Sequence, residues 1–263
     1  MPELPEVETI VRSLAPRIEG RSILDAGFSS RFVVRDNFEI LSAHLRGREI
    51  RTVERRGKFI LLQLDRGALS IHLGMTGKLL LDATPGPYTR AWFHLDNGVL
   101  LYDDIRQFGR IEWSAGIPSR VAALGPEPLE TPFGLFFERL KRHRGIVKPV
   151  LLNQKFRRGL GNIYVDESLF IARIHPRALA SRLSPERASR LHRAIRDVLQ
   201  LAIAHKGSSI SDYVDAEGQK GSFQVLHKVY GREGQPCLNC GSAIRRIVIA
   251  QRGTHYCPRC QRV

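Results

Sequence analysis

No stretch of this chain stays apolar for the ~20 residues that a membrane-spanning helix requires. The first residues carry no basic segment followed by an apolar core, so a secretory leader is not expected either. Cysteine is scarce: there are four in 263 residues, none of them before Cys237. A disulfide framework spread through the fold is thereby excluded. Acid is scarce as well, with 26 Asp and Glu against 41 Lys and Arg, a net charge of +15. There is no internal repeat and no low-complexity tract, which sets aside solenoids and biased linkers. A basic excess of this size in a cytoplasmic chain asks for a polyanion, and nucleic acid is the obvious one.

What is present divides the chain in three. The hydrophobic fraction of 43% is enough for a full core. Val7, Ile10, Val11, Leu14 and Ile18 recur at helical spacing, which predicts an amphipathic helix over residues 5–20. From 21 to 113 the apolar segments are short and turn-bounded, with Asp96-Asn-Gly98 as a hairpin turn. That region reads as a β-sandwich or barrel. From about Gly125 the pattern is helical, with helices predicted over 132–143, 162–172 and 184–205, the last capped by Ser184. Residues 207–236 are glycine-rich and polar and read as a loop or linker.

The strongest local motif is CLNC at 237–240 with CPRC at 257–260. Cys237, Cys240, Cys257 and Cys260 have the spacing of a tetrahedral four-thiolate site, which predicts one structural zinc with no open coordination position. Five arginines and no acid lie from Arg245 to Arg262, the composition of a phosphate clamp. A second basic run, 141–158, holds seven Lys or Arg and no acid and leads into GLGN at 159–162. Glycines opening a helix expose N–H groups, and Asn162 adds an amide, a suitable dock for phosphate. Two loops between strand-like segments carry Met75 and then Arg106 and Phe108. Such side chains can wedge into a base stack, although by residue type alone Met75 and Phe108 read first as core. Lys58, at the start of a strand, reads as a surface lysine.

The chain begins MPELPEVETI. Trimming of Met1 would leave a secondary amine at Pro2, with the near-neutral pKa of an α-amino group. Such an amine forms an iminium with an aldehyde without losing a further proton from nitrogen. The plainer reading is a routine start with Pro5 in the first helical turn.

PELPEVET, RGK at 56–58, HLGMTG, RQFG at 106–109, LGPEPL at 124–129, GLGNIYVDESLF, IHP at 174–176 and QRGTHYCPRCQ occur in that order along nearly the whole chain. Together they make the sequence resemble the bacterial formamidopyrimidine-DNA glycosylase family. The resemblance implies an α+β fold. Its parts are an N-terminal β-sandwich catalytic domain with a capping helix (1–125), a helical helix-two-turn-helix domain with a lesion-recognition loop (126–230) and a zinc finger (231–263), with DNA in the cleft between them. It implies a base-excision-repair enzyme that removes oxidised purines such as 8-oxoguanine and formamidopyrimidines. The abasic product would then be cleaved by β,δ-elimination through a Schiff base with Pro2. In the same terms Glu3 is the acid that assists sugar ring opening, Lys58 a basic residue near the lesion phosphates implicated in excision and lyase chemistry, and Arg252 the finger arginine that grips phosphates. Lys148 and Asn162 match backbone contacts. Met75, Arg106 and Phe108 match a void-filling triad, and residues 215–224 match a lid. Tyr88 stands where many members carry a DNA-contacting histidine, and Gln107 where arginine is common; these departures bear on affinity, not on the reaction. The expected partner is double-stranded DNA containing oxidised bases, with no membrane, for a monomer that is cytoplasmic and nucleoid-associated. Two alternatives stand beside this. One is an endonuclease VIII-like enzyme for oxidised pyrimidines, whose members usually have glycine where Leu4 stands. The other is a non-catalytic zinc-dependent binder of damaged DNA, which predicts loss of Pro2 or Glu3.

Overall fold

A computed structural model describes residues 1–210 and 213–262. Ser211 and Asp212 of the predicted linker and Val263 of the predicted zinc module lie outside the described residues. Two compact units result: Met1–Ala123 with His205–Ser222, and Leu124–Ala204 with Phe223–Val263. The segment after residue 204, expected to belong to the helical domain, instead packs with the N-terminal unit. The reason is chemical: the Ser208 N–H, the Tyr213 hydroxyl and the Ala216 carbonyl all find their partners there.

The first unit starts with α1 (Leu4–Ile18), and the residues that repeat at helical spacing are the ones it buries. The strands are β1 (Ser22–Phe28), β2 (Arg48–Arg56), β3 (Phe59–Leu64), β4 (Ala68–His72), β5 (Lys78–Leu81), β6 (Thr89–Leu95), β7 (Gly98–Asp103) and β8 (Arg110–Ser114). They pair antiparallel in the order β5-β7-β6-β1-β2-β3-β4-β8. β1 meets β2 only through Ser22↔Glu49 and Ile23↔Arg48, so the sheet turns at that seam into two four-stranded halves. Phe28, Phe93 and Leu100 from one half and Ile60, Leu62 and Leu69 from the other share a single core with Val7, Ile10 and Leu14 of α1. The predicted sandwich is observed. One short helix interrupts what had read as strand territory, and another follows it. α2 (Phe38–Leu45) starts under an Asn37 cap that accepts from the N–H groups of Glu39 and Ile40, and α3 spans Ser119–Ala122.

The second unit holds α4 (Phe133–Lys141), α5 (Val147–Leu152), α6 (Asn162–Ile171) and α7 (Pro185–Ala204). The predicted face of α7, from Ala188 through Ala202, is buried. α5 carries Pro149 in its first turn, where the ring breaks no helical hydrogen bond. β9 (Arg245–Ile249) and β10 (Arg252–Tyr256) form a hairpin in this unit. Its two-residue turn is Ala250 at φ 48° and Gln251 at φ 60°, a conformation that side-chain-bearing residues seldom adopt.

Candidate catalytic terminus and nucleic-acid interface

The first turn of α1 is built as a pair of reciprocal bonds. The Glu3 N–H donates to Glu6 Oε2 at 2.8 Å, and the Glu3 carboxylate accepts from the Glu6 backbone. Met1 is exposed and Pro2 buried, so Pro2 sits on a fixed helix start. The other oxygen of Glu6 accepts the Ser208 N–H at 2.7 Å. Gly207 allows that approach, since it has φ +77° and a Cβ there would stand 2.6 Å from Glu6 Oε1. The Tyr213 hydroxyl donates to the Glu6 carbonyl oxygen; burial, then the Glu6 charge, pushes this phenol well above its ordinary pKa. Further on, Asp215 Oδ1 accepts the N–H groups of Glu217 at 3.1 Å and Gln219 at 2.8 Å. The start of the expected lid is thus an ordered Asx-type turn.

Lys58 occupies the tight turn between β2 and β3, beside Gly57 at φ +63°. It is only 6% exposed, so the surface-lysine reading fails. His72 at the end of β4 pairs with Phe59, and its Nδ1 accepts the Gly74 N–H. Burial, then the charges of Lys58, Arg120 and Arg110, hold His72 down to about 4, so it is neutral at neutral pH.

The two loops that carry Met75, Arg106 and Phe108 are braced into one body by Asp104. This fully buried carboxylate accepts from Thr76 Oγ1 at 2.5 Å, Gly109 N at 2.8 Å and the Tyr102 hydroxyl at 3.2 Å. Thr76 Oγ1 in turn accepts the Arg106 N–H. Gly74 packs so close to the second loop that a Cβ on it would lie 2.5 Å from the Phe108 carbonyl carbon. Met75 is 42% and Phe108 53% exposed, which corrects the reading of both as core residues. The Arg106 guanidinium lies 4.6 Å from the Phe108 ring centroid. Gln107 takes φ +53°, and its side-chain oxygen accepts from Ser30 at 2.6 Å. Tyr88 is exposed, and its carbonyl accepts the Asp104 N–H.

Arg35, Arg110 and Arg120 were not singled out from sequence. They line a cavity of about 190 Å³ with Asp36, Ile111 and Glu112. Burial, then the Arg35 and Arg120 charges, lowers the Arg110 pKa. Three arginines so far apart in the chain leave no signal in any local window.

In the second unit the Gly253 carbonyl oxygen accepts from Asn162 Nδ2 at 2.8 Å and Lys148 Nζ at 3.2 Å. Lys148 also bridges to Asp166 Oδ1 at 2.6 Å, and Asp166 Oδ2 accepts the His255 N–H. Lys148 is 0% exposed: the unit uses its ammonium to hold the start of β10, next to the exposed Arg252. The basic run 141–158 does not form one face. Arg157 is buried, stacks on Phe136 and donates to the Pro128 carbonyl; burial lowers its pKa to about 10. Arg158 bridges to Glu127, and Lys141 donates to the Ser181 carbonyl.

The four Sγ atoms of Cys237, Cys240, Cys257 and Cys260 all lie within 4.8 Å of one another. Cys237–Cys260 and Cys240–Cys257 are 3.9 and 3.5 Å apart. Sulfurs set tetrahedrally at ~2.3 Å from zinc stand about 3.8 Å from each other, so the donor set fits the ion. Backbone N–H groups of Asn239 and Cys260 point at Cys237 and Cys257 sulfurs, and such donors favour thiolate. Hydrogen bonds from Ser242 bring Cys240 down to about 6, whereas burial and the neighbouring thiols push Cys260 up to about 12. A cation among them removes that conflict.

Residues 1–111 match the formamidopyrimidine-DNA glycosylase N-terminal domain, residues 124–214 the H2TH domain of the same enzymes, and residues 234–263 the zinc finger found in FPG and IleRS. The chain belongs to the formamidopyrimidine-DNA glycosylase family. The formamidopyrimidine-DNA glycosylase of Solibacter usitatus is 55% identical to it over 264 residues, covering 100% of both chains. Among solved structures, the MutM (FPG) protein of Thermus thermophilus superposes with a TM-score of 0.91 at 43% identity, over 99% of this chain and 98% of that one. Wild-type Lactococcus lactis Fpg (MutM) in complex with DNA containing N7-benzyl-Fapy-dG gives 0.90 at 37% identity, over 100% of both chains. The glycosylase family also accounts for the finger and its one structural zinc.

Proposed function

We propose that this chain is a base-excision-repair glycosylase that removes oxidised purines from DNA and cleaves the abasic site it creates. The observation that carries the reading is Pro2 buried at the head of a helix whose first turn is closed by the Glu3–Glu6 bonds. With Met1 removed, the Pro2 nitrogen attacks C1′ of the damaged nucleotide. The N–C1′ bond forms as the glycosidic bond breaks, and the proton shed by the attacking nitrogen leaves with the base. Glu3 delivers a proton to the ring oxygen, the sugar opens, and the nitrogen's lone pair completes an iminium. That electron sink acidifies C2′–H. Proton loss expels the 3′ phosphate, and a second elimination expels the 5′ phosphate. Lys58 supplies positive charge beside the lesion.

A target base must leave the stack before any of this. Met75, Arg106 and Phe108 are the groups proposed to fill the gap, with Arg106 toward the orphaned partner base; their exposure on a braced pair of loops supports this. Arg252 and Asn162 grip the backbone, Tyr88 adds a neutral hydrogen bond, and Lys148 contributes by fixing the Gly253 carbonyl. The partner is DNA, and the enzyme works as a monomer in the cytoplasm on the nucleoid. A non-catalytic binder would not need Pro2 and Glu3, and both are in place.

Borohydride trapping tests the reading. Incubation with duplex containing 8-oxoguanine opposite cytosine should give a covalent adduct, absent with Pro2→Gly. An undiminished adduct in that variant overturns the nucleophile assignment.

A further inference from the structure

Past the end of α6 the second unit makes a rigid corner whose arginines play no part in the reading above. Main-chain bonds hold it: Val147 N–H to Ala178 O at 2.8 Å, Ala180 N–H to Gly145 O at 2.9 Å and Ser181 N–H to His143 O at 3.1 Å. Ile146 and Leu179 form an antiparallel bridge, and Ala180–Arg182 is a turn of 3₁₀ helix. On this frame Arg177, Arg182 and Arg187 converge on a cavity of about 250 Å³ floored by Ala178, Leu179 and Leu183. Among the described residues no acidic one lines it. Among the described residues none of the three arginines enters an ion pair, whereas Arg142 and Arg158 of the same unit each have a glutamate. Arg187 Nη2 instead donates to the Arg262 carbonyl, which fixes its direction.

Three guanidinium groups that share one cavity with no carboxylate partner among the described residues favour a bound anion. The floor narrows the choice of anion. A bare phosphate gains nothing from Ala178, Leu179 and Leu183, but a phosphate carrying a sugar lays an apolar face against them. Asn162 opens α6 and the cavity follows its C-terminal end. Ten residues of helix span ~15 Å, so one phosphodiester contact does not serve both places. We infer that the Arg177–Arg182–Arg187 cavity is a second DNA-backbone site, which takes a phosphodiester of a DNA segment other than the one being repaired. An enzyme with two such sites transfers between neighbouring segments without first dissociating into solution.

The full-length zinc-loaded protein is first saturated with a short duplex holding an abasic-site analogue. A second, fluorescent, undamaged duplex is then titrated and followed by anisotropy between 50 and 200 mM salt. The wild type should bind it. The variant Arg177→Ala/Arg182→Ala changes exposed side chains only, and should lower the slope of log affinity against log salt by about 0.9, the value of one phosphate contact. Over that salt range the wild type should therefore lose about 3.5-fold more affinity than the variant. Arg177→Lys/Arg182→Lys should restore the slope, and thymidine monophosphate should compete with the second duplex on the wild type. Absence of a second binding event, or an identical slope in the alanine variant, overturns the inference. Excision of 8-oxoguanine from the short duplex alone, read in parallel, should stay within two-fold in both variants, so failure of the glycosylase reading is a separate result.

Discussion

Glu6 carries two obligations with one buried carboxylate, to the Glu3 N–H and to the Ser208 N–H. Glu6→Gln keeps the volume but turns one acceptor into a donor that faces an N–H. Leaving a buried donor unmatched costs about 1–3 kcal/mol. The variant should melt earlier, and its single-turnover excision rate should fall more than its affinity for abasic duplex. An equal loss of both would mean that Glu6 serves binding alone. His72 gives a pH prediction. Its folded pKa is about 4 and that of His227 is also about 4, both depressed first by burial, against ~6.5 in the unfolded chain. Between those values the unfolded state binds more protons, so stability is complete above ~6.5 and falls as pH drops toward 4. Urea midpoints at pH 7.5 and 5 should differ less for His72→Gln than for the wild type. At this scale the sequence was informative where chemistry is local. The four cysteines stand in a motif that needs no fold to be read, whereas Pro2 and Glu3 took their roles only from the family resemblance. By residue type alone Lys58 was not legible, because a lysine after a turn glycine reads as a surface group, whereas it is only 6% exposed.

Among the elements, the pair of loops joined by Asp104 is the one proposed to displace a base. Asp104→Ala strands the Thr76 hydroxyl, the Gly109 N–H and the Tyr102 hydroxyl at once. The expected result is a loss of 8-oxoguanine excision well beyond any loss of cleavage at a preformed abasic site, where no base has to be extruded. Equal losses on the two substrates would assign the loops to general binding. Zinc removal by a chelator should release the β9–β10 hairpin, since metal affinity is folding energy in such a module. Affinity for abasic duplex should drop more than 10-fold, while the melt of the first unit is retained. The sandwich, α1 and α7 were legible because each keeps one period over its length. α2 and α5 were not: α2 buries only Leu41 and Leu45, and α5 is six residues long with a proline in its first turn.

The whole molecule is dominated by charge, +15 over 263 residues. Lys58 and Arg252, the two cations proposed to meet phosphate, predict a salt slope for specific binding of at least about 1.8. A flatter dependence would remove one of them from the phosphate contacts. The division into units was only partly legible. Motif order fixes three sequence regions, but burial and hydrogen bonding group them differently, and residues 205–222 change sides. That excursion bears on biosynthesis. The ribosome releases Glu6 early, yet one oxygen of its carboxylate waits for an amide 202 positions downstream. A truncated product ending near residue 123 would emerge with that carboxylate half satisfied, so the nascent polypeptide completes its first helical turn only when translation is nearly over.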